Sequence, residues 1–409
     1  MFQNVKIHKI LNSNSSDESK IILDQNGVLY RDVPSSVVEL AGSLESWLLY
    51  DSICENRIIL KPSSFHLGPS CWSSAQVEDY LLFVEEICTE LARHGFTLID
   101  GHPWNFVFED SNIKFIDFGS FIPFTKVALD ASLNEAREFK YLVKFYRASY
   151  MKRLRMYLAK NATSKTRHNS DIILETGFNG LHDNDCYLSL PERFNRFTNE
   201  TYQPKSTWSD YRCEDDDLET KISKDSRFQT VNSLLKSSGA NKVIDVGSND
   251  GLYSIVAAGA YGISALALEI EDYNSSKLYY LAKENRLKIT SATCTLEDYV
   301  YHLKFIQKPF RPVINLAILL AVFHHMVHDA NYTVQKLVDE LEFLGVKKII
   351  LEFISYEDIF LCRKVRVNWY SLENIIAIFK ELKYNCQVFP EHDQGRRLMY
   401  IEKRICDIV

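Results

Sequence analysis

Apolar positions in the first third of the chain recur with two different periods. Over 76–93, Val77, Tyr80, Leu81, Val84, Ile87, Cys88 and Leu91 share one helical face, and His94-Gly95 closes the run. Two short apolar runs, 105–108 and 113–116, flank a turn at 109–112 and predict a hairpin. A second helical pattern covers 134–160, with Phe139, Leu142, Val143, Tyr146, Tyr150, Leu154 and Tyr157 as its stripe. Lys140, Lys144, Arg147, Lys152, Arg153 and Arg155 make its other face basic, which reads as a solvated surface in preference to a polyanion-binding one. Ahead of residue 70, β-like runs at 20–23, 28–30 and 57–61 alternate with turn residues and assign no fold alone.

From residue 161 the chain turns polar, with Thr, Ser and Asn clusters and an acidic run at 214–217. Phe194, Tyr202, Trp208 and Tyr211 are aromatic anchors within that stretch. The shift divides the chain into 1–160, a connector at 161–224, and 225–409. Past residue 225, strand and helix patterns alternate. Strands are predicted at 242–246, 264–268, 289–292, 313–320, 348–353, 385–389 and 398–402, with helices at 252–258, 274–285, 331–344 and 371–382. Seven strands in such alternation predict a doubly wound, mostly parallel α/β sheet that binds ligands at the carboxyl ends of its strands.

Composition narrows the class. The chain has 409 residues, 46% apolar and 25% charged, which excludes wholesale disorder and strongly biased repeats. A net charge of −7 gives no whole-chain footprint for nucleic acid, and no nucleic-acid partner is expected. No apolar stretch reaches the roughly 18–20 residues of a membrane span, and the N-terminus lacks a signal-peptide pattern, so a cytoplasmic protein is expected. Nine scattered cysteines without a C-x-x-C pair read as reduced, mostly buried thiols.

The sharpest chemical signal is VIDVGSNDG at 243–251, an apolar strand running into a turn and then a helix. Gly247 and Gly251 let backbone approach a ligand closely, but Ser248 stands at the second glycine position of the dinucleotide fingerprint and no third glycine follows. A pyrophosphate cradle is therefore disfavoured. Asp245 suits a ligand with positive charge, such as the amino group of a methionine moiety. Glu269 ends the next strand, 18 residues beyond Gly251, where an acid can accept from both ribose hydroxyls of an adenosine.

Loop, acid and strand order together resemble the class I S-adenosylmethionine-dependent methyltransferases. The resemblance implies a Rossmann-like sheet and a cofactor site of Asp245, Gly247, Ser248, Asn249, Gly251 and Glu269. The strand NLAILLAVFHHM at 315–326 resembles the family's L-A-x-x-x-H-H strand end, with Asn315 where many members carry Asp. His324, His325 and His328 form no metal signature, so no metal is expected. Glu352 lies at the carboxyl end of the fifth strand, where substrate would approach. His325 and Glu352 are the candidate catalytic bases for a hydroxyl acceptor.

A second resemblance lies upstream. LIDGHPWN at 98–105 and FIDFG at 115–119 resemble the catalytic loop and D-F-G strand of protein and aminoglycoside kinases. Asp100 then matches the catalytic aspartate, and Asn105 and Asp117 match the magnesium ligands. Against activity, the only glycines before residue 95 are Gly27, Gly42 and Gly68, so no phosphate-covering loop exists. If Lys61 is the strand lysine, 38 residues before Asp100 are too few for a complete kinase, which needs on the order of 50 or more there. Residues 1–160 therefore read as a reduced, kinase-like α+β lobe, with Mg/ATP as its ligands only if it is active.

The order of all these features resembles the host-specific nodulation-protein-like methyltransferases. It runs from Pro69-x-x-Trp72, through the 116–121 strand, to the H-H strand end and the Glu352-Phe353 pair. That family implies a cytosolic O-methyltransferase acting on a carbohydrate or glycan precursor in polysaccharide biosynthesis. Two alternatives stand beside it: a bifunctional enzyme resembling the O-antigen chain terminators, which cap a glycan with methyl phosphate, and a non-enzymatic scaffold that keeps only the cofactor fold.

Overall fold

The computed structural model describes residues 7–10, 21–24, 28–61, 63–147, 225–305, 312–359 and 361–404. The predicted connector at 161–224, its aromatic anchors and the 148–160 end of the basic helix lie outside them. The chain divides into two compact units. One joins Met1–Gln76, Trp104–Gly119 and Gln203–Val409; the other joins Val77–Pro103 and Ser120–Tyr202.

The first unit opens with β1 (Ile7–Ile10), β2 (Ile21–Asp24), β3 (Leu29–Asp32), α1 (Ser35–Ser43), β4 (Ser52–Cys54) and β5 (Arg57–Ile59). These strands form one antiparallel sheet in the order β1-β2-β3-β5-β4. Pairing gives the short runs ahead of residue 70 an order that their own patterns lack. Helix α2 (Ser74–Arg93) follows, close to the predicted span, and leads into β6 (Phe96–Leu98) in the second unit. The predicted hairpin forms as β7 (Phe106–Glu109) and β8 (Asn112–Phe115). Its turn residues Asp110 and Ser111 both take left-handed backbone. In the second unit β9 (Phe121–Pro123) pairs with β6, and α3 (Lys126–Arg147) starts earlier than its apolar stripe suggests.

The C-terminal half builds the expected sheet. Its elements are α4 (Ser226–Ser237), β10 (Lys242–Val246), α5 (Leu252–Tyr261), β11 (Ser264–Glu269), α6 (Asp272–Glu284), β12 (Ile289–Thr293), α7 (Leu296–Phe305) and β13 (Leu316–Leu319). They continue with α8 (Phe323–Ala330), α9 (Val334–Phe343), β14 (Lys348–Ile354), α10 (Leu372–Glu381), β15 (Tyr384–Asp393) and β16 (Arg396–Lys403). The seven strands lie in the order β12-β11-β10-β13-β14-β16-β15. The first five are parallel, and β16 is antiparallel to both its neighbours. Strand order reverses between β10 and β13, the switch point at which doubly wound sheets open a crevice.

β13 is shorter than the predicted 313–320. Val313 is 64% exposed, and the Asn315 side chain accepts from the backbone N–H of Asn241 and Lys242 at 3.1 Å each. Asn315 thus ties the starts of two strands together instead of extending one.

The β12 edge of the sheet is covered by residues from the N-terminal third. Ser111 Oγ donates to the Ile289 carbonyl, and Gln76 Nε2 donates to the Ser291 carbonyl at 3.0 Å. Trp72 packs edge-on to Phe108 (5.1 Å between ring centroids), and Phe108 packs edge-on to Tyr279 (5.6 Å). Tyr299 Oη donates to the Phe65 carbonyl beside them. No helix among the described residues is long and apolar enough to cross a membrane.

Candidate functional site

The switch point brings the glycine-rich turn and the strand-end acid together. β10 runs beside β11 with Asp245 opposite Ala267, so Asp245 and Glu269 end adjacent parallel strands on one edge of the sheet. The Gly247 and Ser248 N–H groups donate to the Leu268 carbonyl at 2.9 and 3.0 Å, which pins the turn to the end of β11. Gly247 and Gly251 have φ of 70° and 79°, and Asn249 between them has φ of 51°. Packing also demands both glycines: a Cβ on Gly247 would lie 2.8 Å from Val322 Cγ2, and one on Gly251 would lie 2.5 Å from the Leu278 methyls.

Glu269 is a structural part of this turn. Its Oε2 accepts from Asn249 N–H at 2.7 Å, and its Oε1 from Glu271 N–H at 2.9 Å. Burial raises its pKa above the usual carboxylate value, and the backbone donors oppose that shift. Asn249 in turn accepts from Asn274 Nδ2 at 2.8 Å. Asp245 is 3% exposed and accepts from Ser254 Oγ at 2.9 Å. Ser248 Oγ is buried with no hydrogen-bond partner among the described residues. A turn with an orphaned hydroxyl, joining two strand ends that each carry a buried carboxylate, fits a polar ligand with both donors and a positive group, as S-adenosylmethionine has.

The two candidate bases enter different networks. His325 Nδ1 lies 3.0 Å from Asp329 Oδ2 one helical turn on, and Lys364 Nζ donates to the same carboxylate at 2.6 Å. This is a partly exposed ion-pair cluster on α8. Glu352 is fully buried on β14, where its Oε1 lies 2.8 Å from His392 Nε2 and 3.6 Å from Arg227 Nη1. Burial raises the Glu352 pKa, but the His392 hydrogen bond and the Arg227 charge outweigh it and hold the group below its ordinary value. His324 is buried and its pKa falls to about 3, through burial first and then the charges of His325 and Arg396. No cluster of three metal-ligating side chains occurs among the described residues.

His392 and Arg227 were not singled out from sequence. Arg227 follows Asp225, whose carboxylate accepts from the N–H groups of Arg227 and Phe228 and caps α4, so an N-cap signal was present. His392 lies at the charged end of the β15–β16 hairpin, and only the strand order β14-β16-β15 brings it to Glu352.

The kinase-like residues are distributed over the two units. Asp100, in the second, accepts from His102 N–H at 2.9 Å as an Asx turn. Asn105 and Asp117 belong to the first. Asp117 pairs with the Arg31 guanidinium, which projects from β3 of the antiparallel sheet. Lys61 instead lies past β5, 3.9 Å from Glu109. The Asp117 carboxylate is thus held by the Arg31 guanidinium.

No known protein family matches the chain by sequence, and no curated protein does. Among solved structures, it is similar to the bifunctional kinase-methyltransferase WbdD at 19% identity, over 51% of this chain and 46% of that one, with a TM-score of 0.37. The chain thus matches about half of the WbdD chain. It is also similar to the 16S rRNA methylase RmtB (12% identity, 46% and 65% coverage, TM-score 0.31). A third neighbour is the methyltransferase domain of bacterial CtHen1-C (14% identity, 43% and 96% coverage, TM-score 0.30).

Proposed function

We propose that the chain is an S-adenosylmethionine-dependent methyltransferase acting on a hydroxyl of a carbohydrate or glycan precursor. The observation that carries the reading is the pairing of Asp245 and Glu269 at adjacent strand ends, around a turn whose Ser248 hydroxyl is buried and unpartnered. Asp245 would take the amino group of the donor, Glu269 its ribose hydroxyls, and the turn at Gly247–Gly251 would follow its backbone. When bound, the donor supplies a methyl group on a positively charged sulfur. The chain's own residues hold the acceptor oxygen in line, keep bulk water out and remove a proton.

Calorimetry on the full chain tests the donor site. Binding of S-adenosylmethionine is expected, weakened about 10-fold or more by Asp245→Ala and by Glu269→Gln. Each variant loses a charge-assisted contact worth roughly 1.5–3 kcal/mol. Equal affinity in wild type and both variants would refute this placement of the donor.

One observation favours a second reading, a bifunctional kinase-methyltransferase that caps a glycan with methyl phosphate. Arg31 sits on the third strand and pairs with Asp117, which is the strand that carries the phosphate-binding cation in protein kinases. ATP hydrolysis lost in Asp117→Ala but kept in Gly247→Arg would support that reading.

A further inference from the structure

Buried polar groups that the donor crevice does not use collect around the carboxyl ends of β13 and β14. Glu352, on β14, reaches over β16 to His392 on β15, whose side chain is 8% exposed. The charged groups around the imidazole are Glu352 from β14, Arg227 from α4, Arg396 from β16 and, on its own strand, Glu391. The His392 hydrogen bond, and after it the charges of Arg227 and Arg396, keep Glu352 charged, and a carboxylate can only accept. The 2.8 Å contact therefore places a proton on Nε2, and in the neutral imidazole Nδ1 of His392 then carries the lone pair.

That lone pair has no use inside the fold. His392 Nδ1 is buried with no hydrogen-bond partner among the described residues, and so are Glu352 Oε2 and His324 Nδ1. His324 follows Phe323 and Glu352 precedes Phe353, and both phenyl rings pack on Tyr370 at 6.2 and 5.3 Å, so α8 and the end of β14 lie side by side. Orphaned buried polar atoms are rare in native folds, and several together mark a place for a polar group from outside. Arg227, 3.6 Å from Glu352, also lies over the Tyr253 ring at 6.0 Å, in the first turn of α5 beside Ser254, whose hydroxyl donates to Asp245.

We propose that His392, oriented by Glu352, is the proton acceptor for a hydroxyl-bearing methyl acceptor, with Glu352 as its positioning residue. The proposal rests on the methyl-transfer reading. In the step, the hydroxyl oxygen forms the new O–C bond while the S–C bond of the sulfonium breaks and its electron pair stays on sulfur. The hydroxyl proton moves to His392 Nδ1. The imidazolium keeps its Nε2–H on the Glu352 carboxylate until Nδ1 releases the proton to water. A phosphate or carboxylate acceptor is already ionised and needs no base, so a base at this place points to a neutral hydroxyl.

Imidazole nitrogen NMR on the full chain tests the orientation without any acceptor. His392, assigned by loss of its signals in His392→Gln, is expected as the Nε2–H tautomer at neutral pH, and Glu352→Gln is expected to abolish that single-tautomer signature. A resting Nδ1–H tautomer, or one unmoved by Glu352→Gln, overturns the proposal. Radiolabelled S-adenosylmethionine with methyl α-glucoside and methyl phosphate as probes then tests the chemistry. Transfer to the glucoside is expected to fall on the order of 10²-fold or more in His392→Gln, with donor affinity by calorimetry changed less than twofold. Unchanged transfer in that variant, no transfer to the glucoside, or transfer to methyl phosphate only, overturns the proposal while leaving the donor site standing. Failure of the wild-type chain to bind the donor overturns the methyl-transfer reading and this one with it.

Discussion

Gly251 carries two constraints at one residue. Its φ of 79° is a left-handed conformation, which disfavours any side chain by roughly 1–2 kcal/mol. A Cβ there would also press to 2.5 Å from the methyls of Leu278, the buried anchor of α6. Gly251→Ala is therefore expected to destabilise the fold by about 1–3 kcal/mol, since strain and overpacking act together. A lower denaturation midpoint with an unchanged denaturant slope checks this. The turn was legible in sequence because its chemistry is local: Asp245, Gly247 and Gly251 lie within seven residues. Glu269 was legible because a βαβ unit returns the next strand's end to the same edge. His392 was not, because its partner Glu352 is 40 residues away and nothing but the pairing of three strands joins them.

Elements whose apolar faces repeat over several turns, such as α2 and the strands β10 and β11, show in the sequence close to their actual bounds. α4 and α7 were missed, although both carry cap signals. Asp225 caps α4, and Thr295 and Asp298 exchange side-chain to backbone hydrogen bonds at the start of α7. The polar first turns of these helices hide the apolar faces behind them. α7 also sets a pH response. His302 on α7 and His66 in the segment before α2 each have a pKa lowered to about 4, His302 by burial and His66 by burial and then the charges of Lys242 and His302. Their unfolded values are near 6.5, so between pH 6.5 and 4 the unfolded chain binds more protons than the folded one. Stability is then complete above pH 6.5 and declines as pH falls toward 4, by on the order of 3 kcal/mol per histidine. The thermal midpoint is expected to drop over that window. His302→Phe is expected to flatten the drop. An equal slope in the variant would mean that other groups carry the acid response. His302 stacks on Trp104 at 5.3 Å between centroids and fills the space where a Gly68 Cβ would stand, so a ring of similar size keeps the packing.

At the scale of the molecule, the arrangement that most constrains use of the C-terminal sheet is the cover on its β12 edge. An unpaired parallel edge strand invites pairing with another chain, and proteins blunt such edges with turns, helices or side chains. Here Ser111 and Gln76 occupy successive outward carbonyls of β12, at Ile289 and Ser291, while Trp72 and Phe108 close over Tyr279. Every covering residue comes from before residue 120, more than a hundred positions upstream of the strand it protects. The composition shift at 161–224 suggests a self-sufficient 225–409 segment, but the cover predicts that this segment made alone exposes both the edge and the Tyr279 face. It is expected to self-associate at micromolar concentration, whereas the full chain does not. Sedimentation of the two forms side by side checks this, and a monodisperse 225–409 would show that the cover is dispensable. In the full chain, Trp72→Ala removes the largest buried ring of the contact and should cost about 3–5 kcal/mol. Gln76→Ala leaves the Ser291 carbonyl of the edge without its donor and should cost about 1–3 kcal/mol. Because the two residues lie four positions apart on one chain segment and share the same edge, the double variant is expected to fall short of the sum. Seating the segment is one event, and its loss is counted once.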